Sequence, residues 1–542
     1  MTIAVSHDDR LNGTSEPTSA GSGARVWPRP STVGVLLWLA LFAAELVAVA
    51  MLCDVNLVFS LDDPYIHLAV ADQILAGGYG VNAGEYASPS SAIVWPYLLL
   101  PFEMLHVGPF ALLLINAAAA CATVFVILRF VEASGLFDGA GERPFAYLIA
   151  LIVIFNASAV ALPMTGMEHC LHVLASIVTF IGLVAVARGG SPTPLHFVAL
   201  VSLPFLRFEG AALACSAIAG FVLLGQRRFA IGAAFVIALG GAVYAALMTS
   251  RGLPLIPSSV MLKAQLAAEA HSHADTVAGA VANVIRAVMT AYGLRLLMLG
   301  VALAVTCFWL RSDRKTMVVC LVALAAIGAH LVFGQYGWFN RYEVYIMALA
   351  ATALLWAVAQ VRPKLAARQW NFARAALVLM LGVAALPYMT IAMLTPLGAR
   401  SIYEQQYQMA RFAQSFYGHA VAVNDLGLAS YRNKNYVLDL WGLGSEEVRK
   451  ARRAGQFGPE TMAALARDHD VGLVMIYDAW FPKGVPSSWT KVAVLHSQAV
   501  TADEPDVSFY RTPSGNAAEL ASALQAFKPT LPPRVRLEIM AP

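Results

Sequence analysis

The sequence predicts a polytopic α-helical membrane protein that ends in a smaller α/β domain. Three observations carry this. Of its 542 residues 59% are hydrophobic and 13% charged, against roughly 45–50% and 25% in soluble proteins. Eleven apolar segments approach the roughly 20 residues that a spanning helix needs. Beyond residue 397 the pattern changes to short strand-like runs between helical stretches. The net charge of +3 says little about partners, because charges on the two faces of a bilayer meet different solvents; no nucleic-acid partner is expected. All six cysteines lie in apolar stretches, so no disulfide framework is expected.

Residues 1–30 are polar and rich in Ser, Gly and Thr, which reads as a disordered cytoplasmic tail ahead of an uncleaved signal anchor. The candidate spans are 33–57, 109–131, 145–163, 168–187, 194–206, 210–225, 229–248, 290–310, 316–334, 343–361 and 374–396. The ambiguous piece is 91–107, SAIVWPYLLLPFEMLHV, which is short and carries Pro96, Pro101 and Glu103. If it does not cross, alternate turns carry Arg129 and Arg143, Arg188, Arg227 and Arg228, Arg311, Arg314 and Lys315, then Arg362, Lys364, Arg368 and Arg374. That is one consistently basic side, hence the cytoplasm. Residues 58–107 contain no Lys or Arg. The expected topology is therefore about eleven spans over 31–396, the N-terminus inside, a non-crossing or re-entrant 91–107 within a first external loop 58–108, and an extracytoplasmic domain over 397–542.

In that domain the strand-like runs are 421–425, 436–440, 471–480, 491–497 and 507–512, and 402–417 has helical spacing with Met409, Ala413 and Phe416 on one face. No GxGxxG or Walker loop is present, so a nucleotide site is unsupported. No internal repeat of the transporter kind appears.

With sides assigned, isolated charges collect on the outer face. They are Asp62 and Asp63 after the first span, Glu168 in PMTGMEHC, Arg207 and Glu209 in LPFLRFEG, Lys263 in GLPLIPSSVMLK, and Arg341 and Glu343 in FGQYGWFNRYEVY. Acids at membrane depth are costly and usually line a cavity. Such a set suits an anionic, lipid-borne substrate. Structural roles compete. Asp63 before Pro64 suits the start of an amphipathic helix with Ile66, Val70 and Ile74 on one face, closed by Gly77 and Gly78; Asp62 has no such job and is the better candidate for chemistry. Glu168 could serve the first turn of the fourth span. Arg207 with Glu209, and Arg341 with Glu343, could neutralise each other, and Lys263 could snorkel. His67 is four residues from Asp63, and His169 and His172 are three apart, but HCLH lacks the HExxH arrangement of zinc proteases; packing or cavity-lining roles are expected. Asn424, Asp425 and Asp439 read chiefly as turn chemistry, with an acceptor-binding role as the alternative.

The order DDPYI (62–66), GGYGVNAGEYASPSSAIVWP, GMEH (166–169), LRFEG (206–210), PSSVMLK (257–263) and NRYE (340–343), followed by an external α/β tail, resembles the GT-C class of membrane glycosyltransferases. It is similar to bacterial arabinofuranosyl-, mannosyl- and galacturonosyltransferase-like members. The resemblance implies a polyprenyl-phosphate sugar donor, a glycan or glycolipid acceptor of the cell envelope, and a site facing the periplasm from the bacterial inner membrane. It implies Asp62, with Asp63 as alternate, engaging the acceptor hydroxyl, Glu168 helping to bind it, and Lys263, Arg207 and Arg341 holding the donor phosphate. Tyr65, His67, Glu85, Glu209 and Glu343 are expected among the other substrate-binding residues. This chain has Pro257, Ser258 and Ser259 ahead of the lysine, where relatives tend to have Pro-Asn-Thr.

Those residue types suit the chemistry. A carboxylate can take the acceptor proton, and bases stabilise a leaving phosphate in a partly desolvated cavity. One base suffices for inversion, whereas retention asks for a second carboxylate as nucleophile; inversion is expected. A divalent cation, Mg²⁺ or Mn²⁺, could bridge Asp62 or Glu168 to the phosphate, though three bases could make it unnecessary. The alternatives are a lipid-linked sugar flippase or transporter, whose charges belong near the midplane, and an envelope scaffold or sensor, which leaves the outer charges unexplained.

Overall fold

A computed structural model describes residues 27–139, 141–258, 261, 281, 284–285 and 287–540. The predicted tail lies almost wholly outside the described residues, as does Lys263. The helices begin with α1 (Pro30–Leu52), α2 (Asp63–Leu75), α3 (Trp95–Met104), α4 (Gly108–Ala133) and α5 (Arg143–Asn156). They continue with α6 (His169–Ala187), α7 (Pro194–Leu206), α8 (Gly210–Leu223) and α9 (Arg227–Ser250). After the undescribed stretch come α10 (Ala291–Trp309), α11 (Arg314–Phe333), α12 (Val344–Val361) and α13 (Ala367–Glu404). Proline stands in the first turn of α1 to α5 and of α7, where its missing N–H costs nothing and its fixed φ favours entry. Gly77, at φ 85°, ends α2, as only a residue without Cβ does cheaply.

Each of the eleven apolar segments is helical. Among the described residues eight helices are long and apolar enough to cross a membrane, and α5, α7 and α8 are shorter apolar helices. The helix α12 is buried along nearly its whole length and forms the centre of the bundle. By contrast α3 has 10 residues, which is about 15 Å of helix against about 30 Å of hydrocarbon. At the other extreme α13 runs for 38 residues through Pro387 and Pro396, roughly 57 Å, so it carries the chain well beyond a bilayer's thickness into the C-terminal domain.

That domain is built on a six-stranded sheet in the order β2-β1-β3-β5-β4-β6. Its strands are β1 (Val421–Val423), β2 (Val437–Asp439), β3 (Leu473–Ile476), β4 (Thr490–His496), β5 (Asp506–Arg511) and β6 (Arg536–Ile539). The first three are parallel, with Val421 opposite both Val437 and Leu473; the others pair antiparallel. The five strand-like runs of the sequence become β1–β5, and β6 went unforeseen because four residues, two of them charged, carry no usable alternation.

Several polar contacts seat this domain on the first external loop. Asn82 pairs its side-chain amide with both backbone groups of Val437, at 2.9 Å each, so it closes the free edge of β2 as a neighbouring strand would. Glu103, fully buried on α3, accepts from Tyr431 Oη at 3.0 Å and from Arg432 at 3.2 Å. Asp62 accepts from the backbone N–H groups of Gly427 and Leu428 at 2.6 and 2.8 Å. The carboxylate stranded among apolar residues in 91–107 is thus a docking group.

Candidate active site

Four loops meet where the sequence placed its isolated charges. The loop before α2 and the loop before α6 are tied by Ser60, whose N and Oγ both donate to Met164 O, at 2.8 and 2.9 Å. Gly166 makes this approach possible: its φ is 65°, and a Cβ there would lie 2.7 Å from Pro64 Cβ. Gly166→Ala should therefore force the two loops apart. The left-handed backbone alone costs about 1–2 kcal/mol before the clash is counted, so a lowered thermal midpoint and lost activity are expected together.

Arg207 is the hub. Its backbone is extended at the end of α7, which points the guanidinium across the loop. It grips Glu209 with two bonds of 2.8 and 3.2 Å, Glu168 Oε1 at 3.0 Å and Ser91 Oγ at 3.3 Å. Glu168 is fully buried; His67 Nε2 lies 3.8 Å from its second oxygen, and His67 Nδ1 meets Ser90 Oγ at 2.9 Å. Burial opposes ionisation of Glu209, yet Arg207 overrides it and holds that carboxyl down to about 2. Burial lowers the His67 pKa, only partly offset by Glu168.

Arg341 forms the second centre. Three consecutive non-glycine residues before it, Trp338, Phe339 and Asn340, have φ of 46°, 62° and 54°. This costs free energy, and it delivers a buried guanidinium onto Asp63. The Tyr342 ring lies 5.3 Å from each guanidinium, a cation–π spacing at which one ring attracts both cations. At Arg207 a cavity of about 390 Å³ opens, lined by Arg207, Ser91, Glu209, His330, Gln335 and Tyr345 among polar residues and by Phe208, Ala211, Ala212, Ala329 and Phe333 among apolar ones. His330 Nδ1 meets Tyr345 Oη at 3.1 Å.

Several expectations require correction. Asp62 is not the free carboxylate: it is 5% exposed and both its oxygens are held by backbone N–H groups of the C-terminal domain. Asp63 does begin α2, as its first helical residue after the N-cap Asp62; its side chain is 39% exposed and paired with Arg341. The two carboxylates meet different partners because adjacent residues at a helix start point apart. Arg341 does not pair with Glu343, whose carboxylate instead accepts from Gly337 N at 3.1 Å and is pushed up to about 7 by burial. Glu168 sits at the start of α6 but makes no cap bond, since Arg207 takes it. Arg207 donates four bonds to protein groups. Glu85 lies in the domain contact, accepting from Tyr436 Oη at 2.8 Å and Asn82 at 3.0 Å. Tyr65 Oη accepts from Phe59 N at 3.3 Å, a packing role.

Of the carboxylates expected to bridge a divalent cation, Asp62 has both oxygens engaged by backbone N–H groups, while Glu168 accepts from Arg207 through Oε1 and its Oε2 has no hydrogen-bond partner among the described residues. Among the described residues no group of three or more His, Cys, Asp or Glu side chains is arranged for a metal ion.

The sequence reads Asp425 chiefly as turn chemistry, with acceptor binding as the alternative. It follows β1, accepts from Gln406 Nε2 at 2.8 Å and abuts Asp62. Burial, then its charged neighbour Asp425, raises Asp62 well above the usual carboxylate range against the pull of its two backbone N–H bonds. Burial likewise lifts Asp425 to about 6, with Gln406 pulling the other way. A group raised in the folded state contributes stability that is fully present below its unfolded pKa and lost as pH rises through the folded value. The seating of the domain should therefore weaken between about pH 4 and pH 6. Asp425→Asn should flatten this dependence and raise stability at neutral pH by about 1–2 kcal/mol, read by thermal unfolding across pH.

The comparisons with known proteins follow this geometry. A family model described as "Domain of unknown function (DUF8728)" matches residues 399–510. No curated protein sequence matches the chain. Among solved structures, the oligosaccharyltransferase of Archaeoglobus fulgidus is similar at 11% identity and a TM-score of 0.41, over 87% of this chain and 76% of that one. Arabinofuranosyltransferase AftD from Mycobacteria is similar at 14% identity and 0.45, over 89% of this chain and 42% of that one. The A. fulgidus enzyme AglB in complex with an inhibitory peptide and a dolichol-phosphate matches at 12% identity and 0.40, over 88% and 74%.

Proposed function

We propose that this chain is a membrane glycosyltransferase of the GT-C kind. It moves a sugar from a polyprenyl-phosphate donor to a hydroxyl of a cell-envelope glycan or glycolipid, at the periplasmic face of the bacterial inner membrane. One observation carries the reading: a partly exposed carboxylate, Asp63, and a cavity lined by both polar and apolar side chains lie at the two ends of one continuous line of contacts through Arg341, Tyr342, Arg207 and Glu209. An amphiphile with a charged head needs a cavity of such mixed lining, and a hydroxyl nucleophile needs such a base.

In this mechanism Asp63 accepts the proton of the acceptor hydroxyl as its oxygen attacks the anomeric carbon. The bond from that carbon to the phosphate oxygen breaks, and its electron pair leaves with the lipid phosphate. Arg341 stabilises the departing charge, together with Lys263. Glu168 and Glu209 fix Arg207, which orients Tyr342 and so Arg341. Asp62 seats the C-terminal domain over the site. With a single general base, the displacement inverts the anomeric centre.

Purified protein in lipid nanodiscs, given polyprenyl-phosphate sugars and an envelope glycan, should release polyprenyl phosphate and form glycosylated product. Transbilayer movement of intact lipid-linked sugar in liposomes, with no bond broken, would refute the reading in favour of a transporter.

A further inference from the structure

In open sheets with parallel strands, ligands settle outside the carboxyl ends of the strands where the chain order reverses. Here that point is β1, from which the sheet runs to β2 on one side and β3 on the other. The residues just after these strand ends are Asn424 and Asp425 after β1, Trp441 after β2, and Tyr477 and Trp480 after β3. We propose that this edge of the C-terminal domain is the acceptor-glycan subsite. In it the Trp441 and Trp480 rings stack on a sugar face, and Asp425 with its neighbouring amides takes the hydroxyls.

The two indoles are half-buried and lean together at 50° with 4.5 Å between ring centroids. Asp503 fixes Trp480 by accepting from its Nε1 at 2.5 Å, and Tyr477 stands edge-on to it at 5.6 Å. A pyranose or furanose presents an apolar C–H face and polar edges. A rigid aromatic surface bordered by carboxylate and amide groups matches both.

A second feature points to a ligand. Asn424 and Gln406 are 3% and 2% exposed, yet Asn424 Nδ2 and Gln406 Oε1 have no hydrogen-bond partner. Such groups are costly unless something pairs with them. Gln406 Nε2 meanwhile holds Asp425 and Tyr477 Oη, at 2.8 Å each. The subsite is continuous with the candidate active site, since Asp425 abuts Asp62 and the Trp441–Gly444 turn packs on Val81 of the first external loop.

This inference rests on the transferase reading in naming a glycan as ligand. Its test uses full-length protein in nanodiscs and three probes: α-1,6-linked mannohexaose, α-1,5-linked arabinohexaose and maltohexaose, followed by saturation-transfer difference NMR. At least one hexasaccharide should bind the native protein. Trp480→Ala should bind it at least tenfold more weakly, and Trp480→Leu, which keeps apolar bulk, should show the same loss with protease resistance of the domain unchanged. Binding of none of the three, or binding by either Trp480 variant as tight as that of the native protein, would overturn the subsite. Hexasaccharide binding without lipid-phosphate release from any donor would leave the subsite standing and remove the transferase reading.

Discussion

Arg207→Leu should unfold the outer half of the bundle at temperatures the native protein tolerates. The substitution leaves Glu168 and Glu209 without their cation, one fully buried and the other 21% exposed. Removing one partner of a buried ion pair costs about 3–5 kcal/mol, and here two carboxylates lose the same partner. The sign with pH follows from Glu209, held down to about 2 by Arg207 against the effect of burial. Its contribution to native stability is present above the unfolded glutamate pKa and lost as pH falls toward 2. The gap between native protein and variant should therefore be widest near neutrality and narrow in acid. Thermal unfolding in detergent at several pH values measures it. A variant as stable as the native protein at neutral pH would show that the network is not what holds the four loops together.

Asp63→Asn should leave the fold intact and slow sugar transfer by about 10²–10⁴-fold, the range set by loss of a positioned general base. Asparagine keeps the shape and can still accept a hydrogen bond from Arg341, so the strained turn at Trp338–Asn340 retains most of its anchor. What it loses is basicity. The deficit should appear in kcat at saturating donor and acceptor, with KM little changed. A deficit confined to the donor KM would assign Asp63 to phosphate positioning through Arg341.

The membrane part was legible because a run of about twenty apolar residues has one stable form in lipid, and each such run is a helix here. The short parallel strands were legible through their β-branched residues and the turn chemistry beside them. The convergence of Glu168, Arg207 and Asp63 was also readable, from the side of the membrane that each would occupy. Contacts that depend on how two folded parts meet were not. Asp62 and Asp63 are adjacent, so the sequence says only that they point apart; which one meets Gly427, 365 positions away, is decided by docking. Glu85 and Glu103 looked like substrate or anomalous acids for the same reason, and both belong to that docking surface. The expected Arg341–Glu343 pair failed because Asp63, from a distant loop, is the better-placed partner. Tyr342 went unremarked between two charges, although an aromatic ring flanked by arginines is a cation–π signature once a second arginine is brought near.

The central claim is the division of labour between the two adjacent aspartates, with Asp63 in the chemistry and Asp62 in the seating of the C-terminal domain. Single-turnover transfer from a polyprenyl-phosphate sugar, followed as lipid phosphate released by Asp62→Asn and Asp63→Asn side by side, tests it most directly. The expected result is a chemical step at least about a hundredfold slower in Asp63→Asn. Asp62→Asn should stay within about tenfold of the native rate while its C-terminal domain becomes more sensitive to protease. The reverse order, with Asp62→Asn inactive and Asp63→Asn fast, would contradict the account.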